Sequence, residues 1–318
     1  MRIAFFGTPA FAVPSLRALV DAGHTLVAVI TQPDRRRGRG QRVSASPVRA
    51  AADALGLPIL VPERARDPLF VRALADRAPE LGVVAAYGKI LPDAILETPP
   101  RGTINVHASL LPKYRGAAPI HRAVIAGERE TGITMIRLVA EMDAGPMLGR
   151  VVRPIGANET AEELTEALAV IGATLLLETV GRLERREVVE EPQDHGAATF
   201  APRLTREDGR IDWARPAREI HNLVRGLHPW PHAFTFLGER RLAVLRSSVV
   251  DPSPPGPAAP GDVLTARRDR LEVRCGGDTA LAVHELQPEG RKRLETAAFL
   301  AGHPLALPAA FHSSPTGA

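Results

Sequence analysis

The sequence predicts an α/β protein: a parallel sheet with helices on both faces, followed by a smaller module of short strands. Three observations lead there. Short apolar runs alternate with segments of helical period as far as about Leu183. From Glu187 to Pro202 the chain turns polar and irregular. After one more helical segment come short strand-like runs separated by turn residues. Strand–helix alternation at short spacing means βαβ units with right-handed crossovers, whereas closely spaced strands with turn punctuation mean a small barrel. The expected division is a first domain over 1–188, a linker over 189–204 and a second domain over 205–310.

Taken in order, Ile3–Phe6 is an apolar run of the kind a parallel strand buries on both faces. Phe11–Ala22 has helical spacing and stops at Gly23, and Leu26–Thr31 is the next strand. Ser46-Pro47 is a cap and first-turn pair for a helix to Leu55, closed by Gly56. Leu57–Val61 is strand-like, Asp67-Pro68 caps a helix over Leu69–Arg77, and Leu81–Ala86 and Gly102–His107 are further strands. Ala118–Ala126 reads as a helix, and Thr131–Leu138 and Leu148–Ile155 read as strands around a loop containing Asp143. Thr160 opens a long helix to Leu183, with Glu163 completing a capping box. Beyond the linker, a helix over Pro216–Leu227 precedes strands at Ala233–Phe236, Arg241–Val250, Asp262–Leu264, Leu271–Cys275 and Ala280–Leu286. Asp251–Pro260, with five prolines, is a loop.

Composition narrows the classes. Of 318 residues, 45% are hydrophobic and 24% charged, which is ordinary for a globular protein and wrong for a disordered or fibrous one. Cys275 stands alone, so neither an intrachain disulfide nor a cysteine-based zinc site is available. No run of eighteen apolar residues occurs, and Gly7-Thr8-Pro9 interrupts the first apolar run too early for a signal peptide; the expectation is a cytoplasmic protein with no membrane contact. The net charge of +4 is small, so a polyanion site has to be a local patch.

One such patch is plain. Asp34-Arg35-Arg36-Arg37-Gly38-Arg39-Gly40-Gln41-Arg42 carries five arginines in the eight positions from 35 to 42 and follows the second strand. Open α/β sheets bind ligands beyond the carboxyl ends of their strands, so this segment reads as a flexible arm that grips phosphates. Arg267, Arg268, Arg291, Lys292 and Arg293 could extend that footprint. The densest polar cluster is Asn105-Val106-His107-Ala108-Ser109-Leu110-Leu111-Pro112. On a strand Asn105 and His107 share one face, and together they could polarise a carbonyl and hold an oxyanion. Asp143, before Ala144-Gly145, is by default a turn residue. It gains a role only where the fold brings it to His107. The loop after the first strand, Gly7-Thr8-Pro9, is not a dinucleotide fingerprint, and no P-loop, HExxH or GxSxG motif is present.

At these motifs the chain resembles the methionyl-tRNA formyltransferase family. The resemblance is carried by FFGTPAFAVPSL (5–16), TQPDRRRGRG (31–40), VVAAYGKILP (83–92), INVHASLLPKYRGAAPI (104–120), DAGPML (143–148), LTREDGRIDW (204–213), LHPWPHA (227–233) and the LQPEGRKRL and FLAG segments within 286–302. It implies a Rossmann-like formyltransferase domain followed by an OB-like barrel. It also implies transfer of a formyl group from 10-formyltetrahydrofolate, without a metal, to the amino group of methionine on initiator tRNA. The implied catalytic set falls on Asn105, His107 and Asp143. The implied folate-binding residues are Ser109, Leu110, Leu111 and Pro112, with Tyr87, Gly88, Ile90 and Leu91 as pocket wall. Arg35, Arg36, Arg37, Arg39 and Arg42 correspond to the tRNA-binding insertion. No obligate protein partner is implied, and a monomer is expected. Three other readings fit less well. A formyltransferase acting on a small amine, such as a sugar nucleotide, needs neither the basic arm nor a second domain. A nicotinamide oxidoreductase needs the glycine fingerprint. A non-catalytic RNA-binding module leaves Asn105, His107 and Asp143 without a purpose.

Overall fold

The computed structural model describes residues 1–37, 42–254 and 256–315. The chain divides into two units. Unit 1 comprises Met1–Pro119, Glu130–Pro154 and Thr165–Pro202; unit 2 comprises Ile120–Arg129, Ile155–Leu164 and Arg203–Ala318.

In unit 1 the chain runs β1 (Arg2–Gly7), α1 (Val13–Asp21), β2 (Thr25–Ile30), β3 (Arg35–Arg37), β4 (Arg42–Ser44), α2 (Pro47–Ala54), β5 (Ile59–Leu60), α3 (Pro68–Ala75), β6 (Leu81–Ala85), α4 (Asp93–Leu96), β7 (Thr103–His107) and β8 (Arg115–Gly116). After α5 (Pro119–Ile125), which belongs to unit 2 from Ile120 on, come β9 (Glu130–Arg137), β10 (Met147–Pro154), α6 (Ala161–Arg185), whose first turn is also in unit 2, and β11 (Phe200–Ala201). Seven strands form one sheet in the order β10-β9-β7-β6-β1-β2-β5. The five from β7 to β5 are parallel, and residues 3–7 of β1 are buried throughout, as expected of a strand covered on both faces. The sheet is nonetheless mixed: near one edge β9 runs antiparallel to both its neighbours, β7 and β10. Apolar spacing marks a strand but not its direction, and β9 and β10, joined by a loop with no crossover helix, can pair only as a hairpin.

The helix caps follow their sequence signals. Ser46 Oγ accepts from the Arg49 N–H (3.1 Å), and Asp67 Oδ1 accepts from the Leu69 N–H (2.9 Å). Thr160 and Glu163 close the expected box: the Thr160 N–H donates to Glu163 Oε2 (2.8 Å) while the Glu163 N–H donates to Thr160 Oγ1 (3.3 Å). By length and composition α6 is apolar enough to span a membrane. Its apolar residues, however, form a buried stripe through Leu168, Leu176 and Val180, and Gly172 lies against Val106 and Ile133 of the sheet. Such a stripe at a spacing of three to four is that of a helix covering a sheet.

Two segments depart from expectation. Part of the arginine arm is a ladder, since β3 and β4 pair antiparallel with Arg35 opposite Ser44 and Arg37 opposite Arg42. The stretch 189–204, expected as a linker, runs bonded along unit 1 as far as Pro202. Glu191 and Met147 exchange two backbone bonds (2.9 and 2.8 Å), and β11 pairs in parallel with β8. Polar, irregular composition does not distinguish a free connector from a strap pinned at intervals.

Unit 2 adds α7 (Ala217–Gly226), β12 (Ala233–Leu237), β13 (Arg240–Val250), β14 (Val263–Arg267), β15 (Arg270–Arg274), β16 (Ala280–Pro288), β17 (Leu294–Glu295) and α8 (Thr296–Gly302). Its antiparallel sheet has the order β12-β13-β16-β15-β14, with β17 on β16. The edge strands β12 and β14 do not pair with each other. Residues 309–312 join them instead. Phe236 and His312 exchange two backbone bonds of 2.9 Å, the Val263 N–H donates to Ala309, and the Phe311 N–H donates to Gly261 (both 2.8 Å). A tail that matches no family pattern thus links the ends of the two edge strands, while the Ile211 N–H covers β12 further along by donating to the Phe234 carbonyl. Inside, the Phe311 ring stacks on Trp213 (5.9 Å), whose indole N–H donates to Thr235 Oγ1 (2.9 Å).

Candidate active site

β7 ends in the site. Strand alternation puts Asn105 and His107 on the same face, as the sequence predicts. His107 is buried, whereas the amide of half-buried Asn105 makes no side-chain hydrogen bond among the described residues and keeps its donors free. His107 Nε2 lies 3.0 Å from the Tyr114 carbonyl. A carbonyl only accepts, so the proton belongs on Nε2, and Nδ1 faces Asp143 Oδ1 at 3.6 Å. That separation is too long for a hydrogen bond.

Asp143 reaches His107 by an indirect route. In the β7–β9 register Arg137 is opposite Ile104 and Thr134 opposite His107, so the chain leaves β9 three residues past the imidazole. The β9–β10 loop then carries Asp143 back to it. Asp143 takes a left-handed backbone (φ 51°), which costs a non-glycine residue ~1–3 kcal/mol and persists only where its surroundings impose it. Here they do. Asp143 Oδ2 accepts from the Gly116 N–H (2.9 Å), and the Asp143 and Gly145 carbonyls both accept from Gln193 Nε2 (2.8 and 2.7 Å). Two glycines are required by this packing: a Cβ on Gly145 would meet the Arg137 carbonyl at 1.9 Å, and Gly116 combines φ 120° with a Cβ position 2.8 Å from the Ala201 carbonyl.

Arg115, Thr134 and Gln193 were not apparent from sequence. Arg115 is buried and directs Nε and Nη2 to Gln193 Oε1 (3.2 and 2.8 Å) and Nη2 to His195 Nδ1 (3.2 Å). Thr134 Oγ1 accepts from the Leu111 N–H (3.1 Å) and donates to the Ser109 carbonyl (2.7 Å), which moulds the segment after β7. A buried charge inside the block 104–120 was the available signal for Arg115. Gln193 gave none, because its partners include two backbone carbonyls that any residue would supply.

The residues expected around folate divide by exposure. Ser109 and Leu111 are buried, Ser109 Oγ donating to the Lys113 carbonyl (2.7 Å); Leu110 and Pro112 are half-exposed. Tyr87 and Leu91 are buried, and Gly88 and Ile90 exposed. Tyr87 sits edge-on to Phe6, and burial pushes its phenol up to about 12. Ile90, with Val139 and Met142 of the β9–β10 loop, presents apolar surface to solvent, as a site for a flat, partly apolar ligand would.

The arginine arm is rooted nearby. Thr31 Oγ1 and Ser46 Oγ share a buried hydrogen bond (2.7 Å) across its base, Asp34 pairs with Arg49 (2.8 Å), and Gln32 Nε2 donates to the Tyr87 carbonyl (2.7 Å). Arg35, Arg36, Arg37 and Arg42 are placed by their backbone, and Arg39 lies outside the described residues.

A Rossmann-type sheet with Asn105, His107 and Asp143 gathered at the carboxyl end of β7, in a chain with a second, antiparallel module, is an arrangement suited to group transfer. The family model for formyl transferases matches residues 1–180, and that for the formyl transferase C-terminal domain matches 203–304. Over 305 residues the chain is 47% identical to the methionyl-tRNA formyltransferase of Citrifermentans bemidjiense (96% of this chain, 94% of the relative). It is 50% identical to that of Solibacter usitatus over 305 residues (96% of both chains). The chain belongs to the formyl transferases and, within them, to the methionyl-tRNA formyltransferase family. Solved structures share the fold at lower identity. The sugar 3N-formyl transferase WlaRD, solved with dTDP and 5-N-formyl-THF, has a TM-score of 0.67 at 16% identity (92% of this chain, 99% of that one). The methionyl-tRNA formyltransferase from Clostridium thermocellum has a TM-score of 0.55 at 17% identity (79% and 95%).

Proposed function

We propose that the protein transfers the formyl group of 10-formyltetrahydrofolate to the α-amino group of methionine on initiator methionyl-tRNA, yielding N-formylmethionyl-tRNA for translation initiation. The observation that carries this reading is the approach of Asp143 to His107 beside the free amide of Asn105, in a chain of this family. The amine nitrogen attacks the formyl carbon and a new C–N bond forms. The carbonyl oxygen takes up negative charge; as the C=O reforms, the bond to the folate nitrogen breaks and that nitrogen takes up the proton the amine has lost. Asn105 donates to that oxygen, a kind of contact worth about 2.7–4 kcal/mol in other acyl-transfer enzymes. His107 exchanges its bond to Tyr114 for the same oxygen, and Asp143 accepts the proton of the attacking amine, directly or through water. Leu110, Pro112, Gly88 and Ile90 form the surface on which the folate ring lies. Ser109, Leu111, Tyr87 and Leu91 support it from behind. Arg35, Arg36, Arg37, Arg39 and Arg42 hold acceptor-end phosphates, positioning the tRNA without reading its bases. The enzyme works as a cytoplasmic monomer. The test is incubation of the purified protein with 10-formyltetrahydrofolate and methionine-charged initiator tRNA. Formylated aminoacyl ester is expected, and its absence, or equal transfer to a free amino sugar nucleotide, overturns the reading.

A further inference from the structure

Gln193 lies outside every motif that carries the family resemblance, in a stretch expected to do no more than connect. It is 5% exposed, and each end of its amide has chemically unambiguous partners. A guanidinium only donates, so the oxygen must face Arg115, which contacts it through Nε and Nη2 (3.2 and 2.8 Å). Carbonyls only accept, so the NH2 must face Asp143 and Gly145 (2.8 and 2.7 Å). Arg115 therefore orients the amide, and the amide holds the backbone on both sides of Ala144. Two further observations point the same way. Arg115 adjoins Gly116, whose N–H grips the Asp143 carboxylate (2.9 Å), so one dipeptide controls the residue's main chain and its side chain together. The backbone bonds between Glu191 and Met147 anchor the strap two residues before Gln193 and two after Gly145.

We propose that Gln193, oriented by Arg115, is a positioning residue of the transfer reaction: it holds Asp143 in its left-handed conformation against His107, and it does so as a hydrogen-bond donor. The inference rests on the role given to Asp143 above. It also explains why glutamine occupies this place. Glutamate would pair more strongly with the buried Arg115 yet set a carboxylate oxygen against two carbonyl oxygens. The isosteric change thus separates stability from chemistry.

The experiment compares wild type, Gln193→Glu and Asp143→Asn in steady-state transfer to charged initiator tRNA, alongside thermal melts. For Gln193→Glu the expected result is a kcat at least tenfold below wild type, KM values for both substrates within about threefold, and a melting temperature no lower than wild type. A kcat within twofold of wild type overturns the proposal. So does a loss that follows KM or the melting temperature instead of kcat. Should Gln193→Glu fail to fold, Gln193→Met, which removes both amide ends without adding a charge, is measured instead and must show the same loss of kcat. If Asp143→Asn is fully active, the reading of the site is at fault. If Asp143→Asn is impaired and Gln193→Glu is not, the fault lies with this inference alone.

Discussion

At the scale of the residue, Asp143→Asn preserves the acceptor oxygen that Gly116 engages and removes only the negative charge beside His107. The expected result is a kcat at least a hundredfold lower with an unchanged melting temperature; His107→Ala, which empties a buried site, should lower kcat as much while the fold survives. Near-normal turnover in either variant removes that residue from the mechanism. Asn105 and His107 were legible because a two-residue alternation on one strand leaves little choice of face. Asp143 was legible only through the resemblance, since its spacing says turn and nothing local says that the turn doubles back. Arg115 and Gln193 escaped because they act on main-chain atoms and on each other.

At the scale of the element, the arginine hairpin yields the next prediction. Replacing Arg35, Arg37, Arg39 and Arg42 with alanine should weaken use of charged tRNA and flatten the plot of log affinity against log salt by about 3, at ~0.7–0.9 per phosphate contact. A slope that does not move would make the hairpin a bystander. The closing tail of unit 2 yields another. Phe311 is 4% exposed and stacked on Trp213, so Phe311→Ala should cost about 3–5 kcal/mol of unit 2 stability. Tryptophan fluorescence during urea unfolding measures it, and a loss under 1 kcal/mol would show the seam to be ornamental. Caps at Ser46, Asp67 and Thr160 could be read from sequence because they rest on near neighbours. The reversal of β9 against β7 and the tail's closure could not, because each depends on partners far along the chain.

At the scale of the whole molecule, both tryptophans, Trp213 and Trp230, belong to unit 2, so their emission reports that unit alone. Its response to acid follows from its buried imidazoles. Burial pushes the buried His221 and the half-buried His121 and His232 below the usual value of about 6.5. The unfolded chain then binds protons that the folded one refuses, so stability is complete above that value and falls as pH drops through it. Glu163 adds to the loss further down, since the Arg246 guanidinium and Thr160 hold its carboxyl near 2 and its contribution fades below its ordinary range. The tryptophan-monitored melting temperature should therefore fall by at least ~4 °C between pH 7.5 and 5.5. A flat profile would refute the burial argument. The seam formed by residues 309–312 also sets a timetable. Because this stretch follows every strand it joins, a ribosome has made the whole of β12 to β17 before the ring can shut. Until then the nascent module leaves backbone groups at Phe236 and at Gly261 and Val263 open to its neighbours, so a stop codon near residue 305 should yield a sticky product whose catalytic sheet is intact.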